Sequence, residues 1–297
     1  PIVLNEPVPV LSNAVVLPGF WTKEVRELGS PHNMLECTSD ELQELQALID
    51  GTFIQRQTVD RSILDPLPSK LVVTSAKRSE HPALWHRYGK VRQRATARLS
   101  RKPLTAPVLP ATASMAPLIS SRICRGVNFA NAHVLFHGSN RASAESILSL
   151  GLKIDLSGSN QPGHRGPMYG HGIYLAERAS KSDEYSNDGP ELNGEYVMLL
   201  CRAVLGDVLA CTTPRDCEED AWPKGTYDAV LGDREQVSST YKEFVFFNED
   251  QIYPEYEIRY RRHYEPIVRE IAEGADGRQG RETAEGADER RGPLSAA

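Results

Sequence analysis

The sequence has no CxxC pair, no apolar segment at its start and no hydrophobic run long enough for a membrane span. Its five cysteines are odd in number and scattered, which favours a reducing compartment, the cytosol or the nucleus, over a disulfide framework. A bilayer span requires roughly 20 apolar residues, so we expect no membrane partner. Positive charge is not in excess either: the formal net charge is −6, and nucleic acid is not the expected partner.

The composition is that of a globular protein with uneven ends. The 297 residues are 40% hydrophobic and 25% charged, which is enough to bury a sizeable core. Residues 1–34 show no clear period and are interpreted as a leader or linker, and residues 35–263 as one domain. Residues 264–297 contain the near-repeat 272-AEGADGR-278 and 284-AEGADER-290 with few apolar residues, and this tail is predicted to be disordered. A Pro-rich and Ala-rich segment, 101–120, is predicted to be a mobile connection.

Hydrophobic periodicity predicts an α+β fold. Helices are expected at 38–50, 82–99, 141–151 and 178–186, the first capped by Thr38 or Ser39 and closed by Gly51. Strands are expected at 71–79, 133–138, 172–177, 195–206, 227–232, 243–247 and 252–260. These strands cluster instead of alternating with long helices, which favours a mainly antiparallel sheet. The stretch 163-GHRGPMYGHG-172 lacks the flanking strand and helix of a dinucleotide fingerprint.

Three segments together carry the functional signal: 137-HGS-139, 168-MYGHGIYLAERASKSDEY-185 and 241-YKEFVFFNEDQIYPEYEIRY-260. They resemble the poly(ADP-ribose) polymerase type of ADP-ribosyltransferase, which places a His, a Tyr and a Glu on separate strands of one cleft. His137, Tyr174 and Glu243 match in order and spacing. The closing segment is similar to tankyrase-type enzymes, and 38–50 with 81-HPALWHRY-88 resembles the start of the domain in smaller members. The resemblance covers residues 35–263 and implies the ADP-ribosyltransferase fold, with an NAD cleft between mainly antiparallel sheets.

The physical chemistry of these residues suits NAD as a substrate. Cleavage of the nicotinamide–ribose bond leaves positive charge on the ribose, as in glycoside chemistry, and a carboxylate such as that of Glu243 stabilises it. Tyr174 and Tyr185 can supply aromatic faces for the nicotinamide ring. The resemblance implies that the Gly138 backbone and the Ser182 hydroxyl pair with the carboxamide. Glycine suits position 138 because a side chain would keep the ligand from the backbone.

Further contacts with NAD are implied by the resemblance. His137 would donate to a ribose hydroxyl, and Ser139 would bind the adenosine side. The loop-like stretch 155–170 would cover the adenosine and diphosphate, with Arg165 and His164 as the contacts there. Taken alone, His137 also fits a structural histidine, Glu243 a salt-bridged edge residue, and Arg165 a solvated loop charge.

The sequence departs from members of this family at two places. Too little chain lies between the helix at 38 and His137 for the long regulatory helical domain of the DNA-dependent enzymes, so no dependence on DNA is expected. Tankyrase-type enzymes carry a zinc site after the second tyrosine, but 186-SNDGPELNG-194 has neither Cys nor His. Cys201, Cys211 and Cys217 lack tetrahedral ligand spacing. We therefore expect no metal.

The expected activity is transfer of ADP-ribose from NAD to protein acceptors, which can include the protein itself. The retained Glu243 permits elongation to poly(ADP-ribose). Two alternatives stay open: a mono-ADP-ribosyltransferase, and a catalytically silent scaffold that binds NAD or ADP-ribose. A tRNA 2′-phosphotransferase is less favoured, because 216-DCEED-220 and 249-ED-250 are acidic. The 241-YKEF-244 segment lacks the pattern of a secreted mono-ADP-ribosyltransferase toxin.

Overall fold

One nine-stranded sheet forms the centre of the part of the chain that the structure describes. The computed structural model describes residues 14–101, 110–114, 123, 129–154, 167–187 and 193–265. The strands are β1 (Asn33–Glu36), β2 (Lys70–Glu80), β3 (Ala132–Ser139), β4 (Ile173–Ala176), β5 (Glu195–Val204), β6 (Val208–Cys211), β7 (Ala229–Gly232), β8 (Glu243–Phe246) and β9 (Ile252–His263). Their order across the sheet is β1-β2-β9-β5-β3-β4-β8-β7-β6.

The sheet is almost entirely antiparallel, as predicted. Every neighbouring pair of strands is antiparallel except β6 and β7, which are parallel. The helices are α1 (Lys23–Arg26), α2 (Ser39–Thr52), α3 (Pro82–Arg101), α4 (Ala111–Ser114), α5 (Arg141–Leu150), α6 (Ala179–Asp183) and α7 (Arg234–Ser238). The α+β class is therefore confirmed.

Helix α2 begins as the sequence predicts. Thr38 is the N-cap, and its side chain and that of Glu41 form a reciprocal capping box. The helix continues one residue past Gly51, to Thr52, whose hydroxyl donates to the Leu48 carbonyl inside the last turn (2.7 Å). Its leucine face is buried against one face of the sheet, so this helix closes the hydrophobic core on that face.

Strand β5 contributes to the cores on both faces of the sheet because alternate side chains of a strand point to opposite faces. Val197 and Leu199 pack on one face with residues of α5, whereas Met198 and Leu200 pack on the other with residues of α2. A strand buried on both faces has little freedom to shift its register, since a slip by one residue would exchange the two faces. The register of β5 therefore sets the positions of its neighbours β3 and β9 along the sheet.

Residues 14–34, to which the sequence assigned no role, contact the domain. Trp21 and Val25 are buried in an aromatic cluster with residues of α3 and β9, and the Trp21 and Trp85 rings are 5.6 Å apart, edge to face. The domain boundary at residue 35 stays a prediction. The structure adds that Trp21 shares a core with α3.

Several sequence predictions lie wholly or mostly outside the described residues. These are the connection 101–120, the loop 155–170 and the tail 264–297. The four-residue strands β1 and β6 and the five-residue helix α7 were not predicted. None of the helices among the described residues is long and apolar enough to cross a membrane.

His133 makes the stability of the fold depend on pH. Its ring is buried on β3, its Nε2 donates to the Asn131 side-chain carbonyl (2.8 Å), and burial lowers its pKa to about 4. In the unfolded chain this histidine binds a proton near pH 6.5, whereas in the folded chain it does so only near pH 4. The stability that His133 contributes is therefore complete above pH 6.5 and is lost as the pH falls toward 4. We expect the free energy of unfolding to fall by about 2 kcal/mol between pH 7 and 5 on account of His133.

Urea unfolding at the two pH values tests this assignment. His133→Gln keeps a side-chain donor but cannot titrate, so its loss of stability between pH 7 and 5 should be smaller by about the same 2 kcal/mol. Equal losses in the two proteins would show that the pKa of His133 is the same in the folded and the unfolded chain.

Candidate active site

Three neighbouring strands bring the predicted triad together. His137 lies on β3, Tyr174 on β4 and Glu243 on β8, and β4 is the strand between the other two. Ala176 of β4 is opposite Phe136 on one side and Glu243 on the other, so the register sets the three positions within a short span of the sheet. The sheet thus brings together residues that lie 37 and 106 positions away from His137 in the sequence.

The hydrogen bond of His137 determines its tautomer. Nδ1 lies 3.1 Å from the Tyr174 backbone carbonyl, which can only accept, so Nδ1 carries the proton. Burial lowers the pKa of His137 and keeps the ring neutral. Its Nε2 is therefore a hydrogen-bond acceptor.

Tyr174 is fixed by its hydroxyl group. The hydroxyl donates to the Gly170 carbonyl (2.9 Å) and accepts from the Tyr169 amide (3.0 Å). Both hydrogen bonds are to the turn that precedes β4. Burial raises the pKa of Tyr174, which stays a neutral phenol. The orientation of its ring is thus set by the protein before any ligand binds.

Gly138 lets the short helix α6 approach β3. A Cβ at this position would overlap the Ser182 carbonyl oxygen and lie 2.9 Å from the Tyr185 Cβ. The sequence explained this glycine by the approach of a ligand, whereas the first group that a side chain would meet is the protein's own backbone. Gly138, Ser182 and Tyr185 therefore lie together, and their assignment to a nicotinamide pocket stays a prediction.

Two cations that the sequence analysis missed hold the Glu243 carboxylate. Its Oε1 lies 3.1 Å from Lys181 Nζ and 3.4 Å from Arg234 Nη1, and the three side chains are 8%, 2% and 7% exposed. Burial alone would lower the pKa of Lys181, but the nearby acids, Glu243 first among them, reverse this and raise it. The ammonium is therefore charged although it is almost fully buried.

A signal for one of these cations was present in the sequence. Lys181 immediately precedes Ser182 in the motif, and its Nζ also contacts the Tyr185 hydroxyl (3.1 Å) and lies 4.6 Å from the centre of that ring. Arg234, on α7, had no such signal. Its contact with Glu243 depends on the turn between β7 and β8.

The other residues predicted to contact NAD are Ser139, Arg165 and His164. Ser139 is buried at the end of β3, next to the Asn140 cap of α5. Arg165 and His164 lie outside the described residues. Among the described residues no group of three or more His, Cys, Asp or Glu side chains could hold a metal ion. The thiols of Cys37, Cys201, Cys211 and Cys217 are free.

Comparisons with known proteins match the part of the chain that contains these strands. The family model "Poly(ADP-ribose) polymerase catalytic domain" matches residues 115–262. Human protein mono-ADP-ribosyltransferase PARP12 (Homo sapiens) is 27% identical over 136 residues, 45% of this chain and 18% of that protein. The poly [ADP-ribose] polymerase of Drosophila melanogaster is 36% identical over 85 residues, 29% of this chain and 8% of that protein. The poly [ADP-ribose] polymerase tankyrase of Caenorhabditis elegans is 36% identical over 87 residues, 29% of this chain and 4% of that protein.

The three relatives are much longer than the region of this chain that matches them. The chain spans less than a fifth of the length of each of these three relatives. The matched residues, 115–262, contain β3, β4 and β8 with His137, Tyr174 and Glu243. This chain therefore carries, in residues 115–262, a catalytic domain of the poly(ADP-ribose) polymerase family.

Proposed function

We propose that this protein is an NAD-dependent ADP-ribosyltransferase that releases nicotinamide and transfers ADP-ribose to protein acceptors. The observation that carries the proposal is the buried Glu243 carboxylate, held by Lys181 and Arg234 on the strand beside Tyr174. When the bond between ribose C1′ and the nicotinamide nitrogen breaks, nicotinamide leaves with the electron pair and positive charge develops on the ribose. A preorganised carboxylate stabilises that charge without reorganisation.

The other residues would bind and orient the substrate. The neutral His137 presents Nε2 as an acceptor, so we infer that a ribose hydroxyl donates to it, the reverse of the direction expected from the resemblance. The Gly138 backbone and the Ser182 hydroxyl would bind the carboxamide, with Tyr174 and Tyr185 beside the nicotinamide ring. Ser139 and Arg165 would contact the adenosine and diphosphate side. These roles rest on the resemblance and on the closeness of Gly138, Ser182 and Tyr185.

Elongation to poly(ADP-ribose) is the finer part of the proposal. A carboxylate at position 243 can polarise the 2′-hydroxyl of a bound ADP-ribose unit, so that its oxygen attacks the next C1′. Relatives named as poly and as mono enzymes both match the chain, so the comparisons favour neither. We retain elongation because of Glu243, with single transfer as the alternative.

Incubation of the purified protein with labelled NAD tests the proposal. Nicotinamide release together with label on the protein in a denaturing gel is the expected result, and the rate should be the same with and without nicked DNA. A high-mass smear would support elongation, whereas one sharp band would restrict the enzyme to single transfer. NAD binding without nicotinamide release would contradict the proposal and favour the silent scaffold.

A further inference from the structure

The loop between α2 and β2, residues 53–69, places a second carboxylate on the cations that hold Glu243. Asp60 Oδ2 lies 2.6 Å from Lys181 Nζ and 2.7 Å from Arg234 Nη1, and its Oδ1 lies 3.3 Å from Arg234 Nη2. Only 11% of the Asp60 side chain is exposed. Asp60 and Glu243 therefore share both cations and lie side by side, although 121 residues separate Asp60 from Lys181.

The loop is attached to the domain at several points besides Asp60. Arg61 Nη2 pairs with the buried Asp183 (2.5 Å), the Thr58 hydroxyl donates to Glu184, and the Tyr241 hydroxyl donates to the Ile54 carbonyl (3.0 Å). These contacts fix the loop on both sides of Asp60. Replacing Asp60 alone should therefore leave the loop in place.

The shared cations decide the charge next to Glu243. Without Asp60, Arg234 would have Glu243 as its one carboxylate partner among the described residues, at the place where the proposed reaction develops a further positive charge. Glu184 also accepts from Lys181 (3.2 Å) but has no contact with Arg234. Among the described residues, Asp60 is the one carboxylate besides Glu243 that contacts both cations. Because the four side chains are nearly buried, water screens their charges little.

Asp60 keeps its charge under ordinary conditions. Burial alone would raise the pKa of Asp60, but hydrogen bonds and charge from Arg234 and Lys181 outweigh it and lower the pKa to about 2. Burial alone would likewise lower the pKa of Arg234, but the hydrogen bond to Asp60 and the charge of Glu243 raise it. Asp60, Lys181 and Arg234 are therefore ionised together.

We propose that Asp60 is a positioning residue for the reaction: it binds Lys181 and Arg234 so that Glu243 keeps enough negative potential to stabilise the developing ribosyl cation. The proposal rests on the proposed function. It assigns a part in the reaction to Asp60 alone of the 53–69 loop, and Asp60 lies outside the matched residues 115–262. Asp60 acts through the two cations and requires no contact with the substrate.

The test compares three variants with the parent protein by steady-state nicotinamide release. Asp60→Asn keeps the shape and removes the charge, and we expect kcat to fall about tenfold or more, while KM for NAD does not rise, because the site becomes more positive toward the diphosphate. Asp60→Glu restores the charge and should recover most of kcat. Asp65→Asn makes the same chemical change at an exposed position of the same loop and should leave both constants unchanged.

The outcomes separate this inference from the proposed function. A parent protein that releases no nicotinamide would overturn the proposed function and this inference with it. An active parent with an unaltered Asp60→Asn variant would overturn the inference alone. A higher kcat in Asp60→Asn would show that Asp60 obstructs the site. A raised KM with a lowered melting temperature, not recovered by Asp60→Glu, would reduce Asp60 to a structural anchor of the loop.

Discussion

Replacing Glu243 with alanine is expected to lower the rate of nicotinamide release by on the order of 10²-fold or more, with little change in NAD affinity. The expected size is that of losing one preorganised electrostatic group at a site of developing charge. The affinity should persist because Glu243 stabilises the transition state more than the bound substrate. Nicotinamide release and NAD titration of the same preparation give the two quantities.

Two further variants make that result interpretable. Alanine at position 243 removes one of the two carboxylates that Lys181 and Arg234 share, and this loss can destabilise the buried cluster. Glu243→Gln keeps the side-chain volume and should lose a comparable part of the rate. Glu235→Ala, on α7, removes a carboxylate that is 30% exposed and pairs with Arg56 at 3.5 Å, and should have no effect. Undiminished transfer by a folded Glu243→Ala protein would exclude Glu243 from the mechanism.

The fold was predictable where the signal is local. The long strands β3, β5 and β9 are runs of apolar and aromatic residues, and such runs indicate strands one segment at a time. β1 and β6 have four residues each, and most of them are partly or fully exposed. So short a segment has too few residues for periodicity to register, and only pairing with β2 and β7 makes these strands.

The candidate site was predictable only in its motif residues. His137, Tyr174 and Glu243 follow strand patterns that can be recognised one segment at a time. Asp60 and Arg234 contact each other although 174 residues separate them in the sequence, and nothing in either local segment indicates the other. Such charge sharing exists only after the sheet has assembled.

At Gly138 the sequence predicted that a glycine is needed, but it did not predict which group lies closest to this residue. Its strand conformation is open to other residues, since no positive φ is involved, so the requirement for glycine here is one of space. A methyl group would have to displace the Ser182 carbonyl, which belongs to the backbone of α6 and cannot rotate away. Moving α6 would carry Lys181 away from Glu243.

Gly138→Ala should therefore affect both stability and activity. We expect the free energy of unfolding to fall by about 1–3 kcal/mol, as for an overpacked core. Nicotinamide release should fall on the order of 10²-fold, the cost of misplacing a catalytic group by about 1 Å. Gly19→Ala is the matched control, because a Cβ there meets nothing within 4 Å. If urea unfolding and nicotinamide release cannot tell the two variants apart, α6 does not lie against β3, and the position of Lys181 at Glu243 has to come from elsewhere.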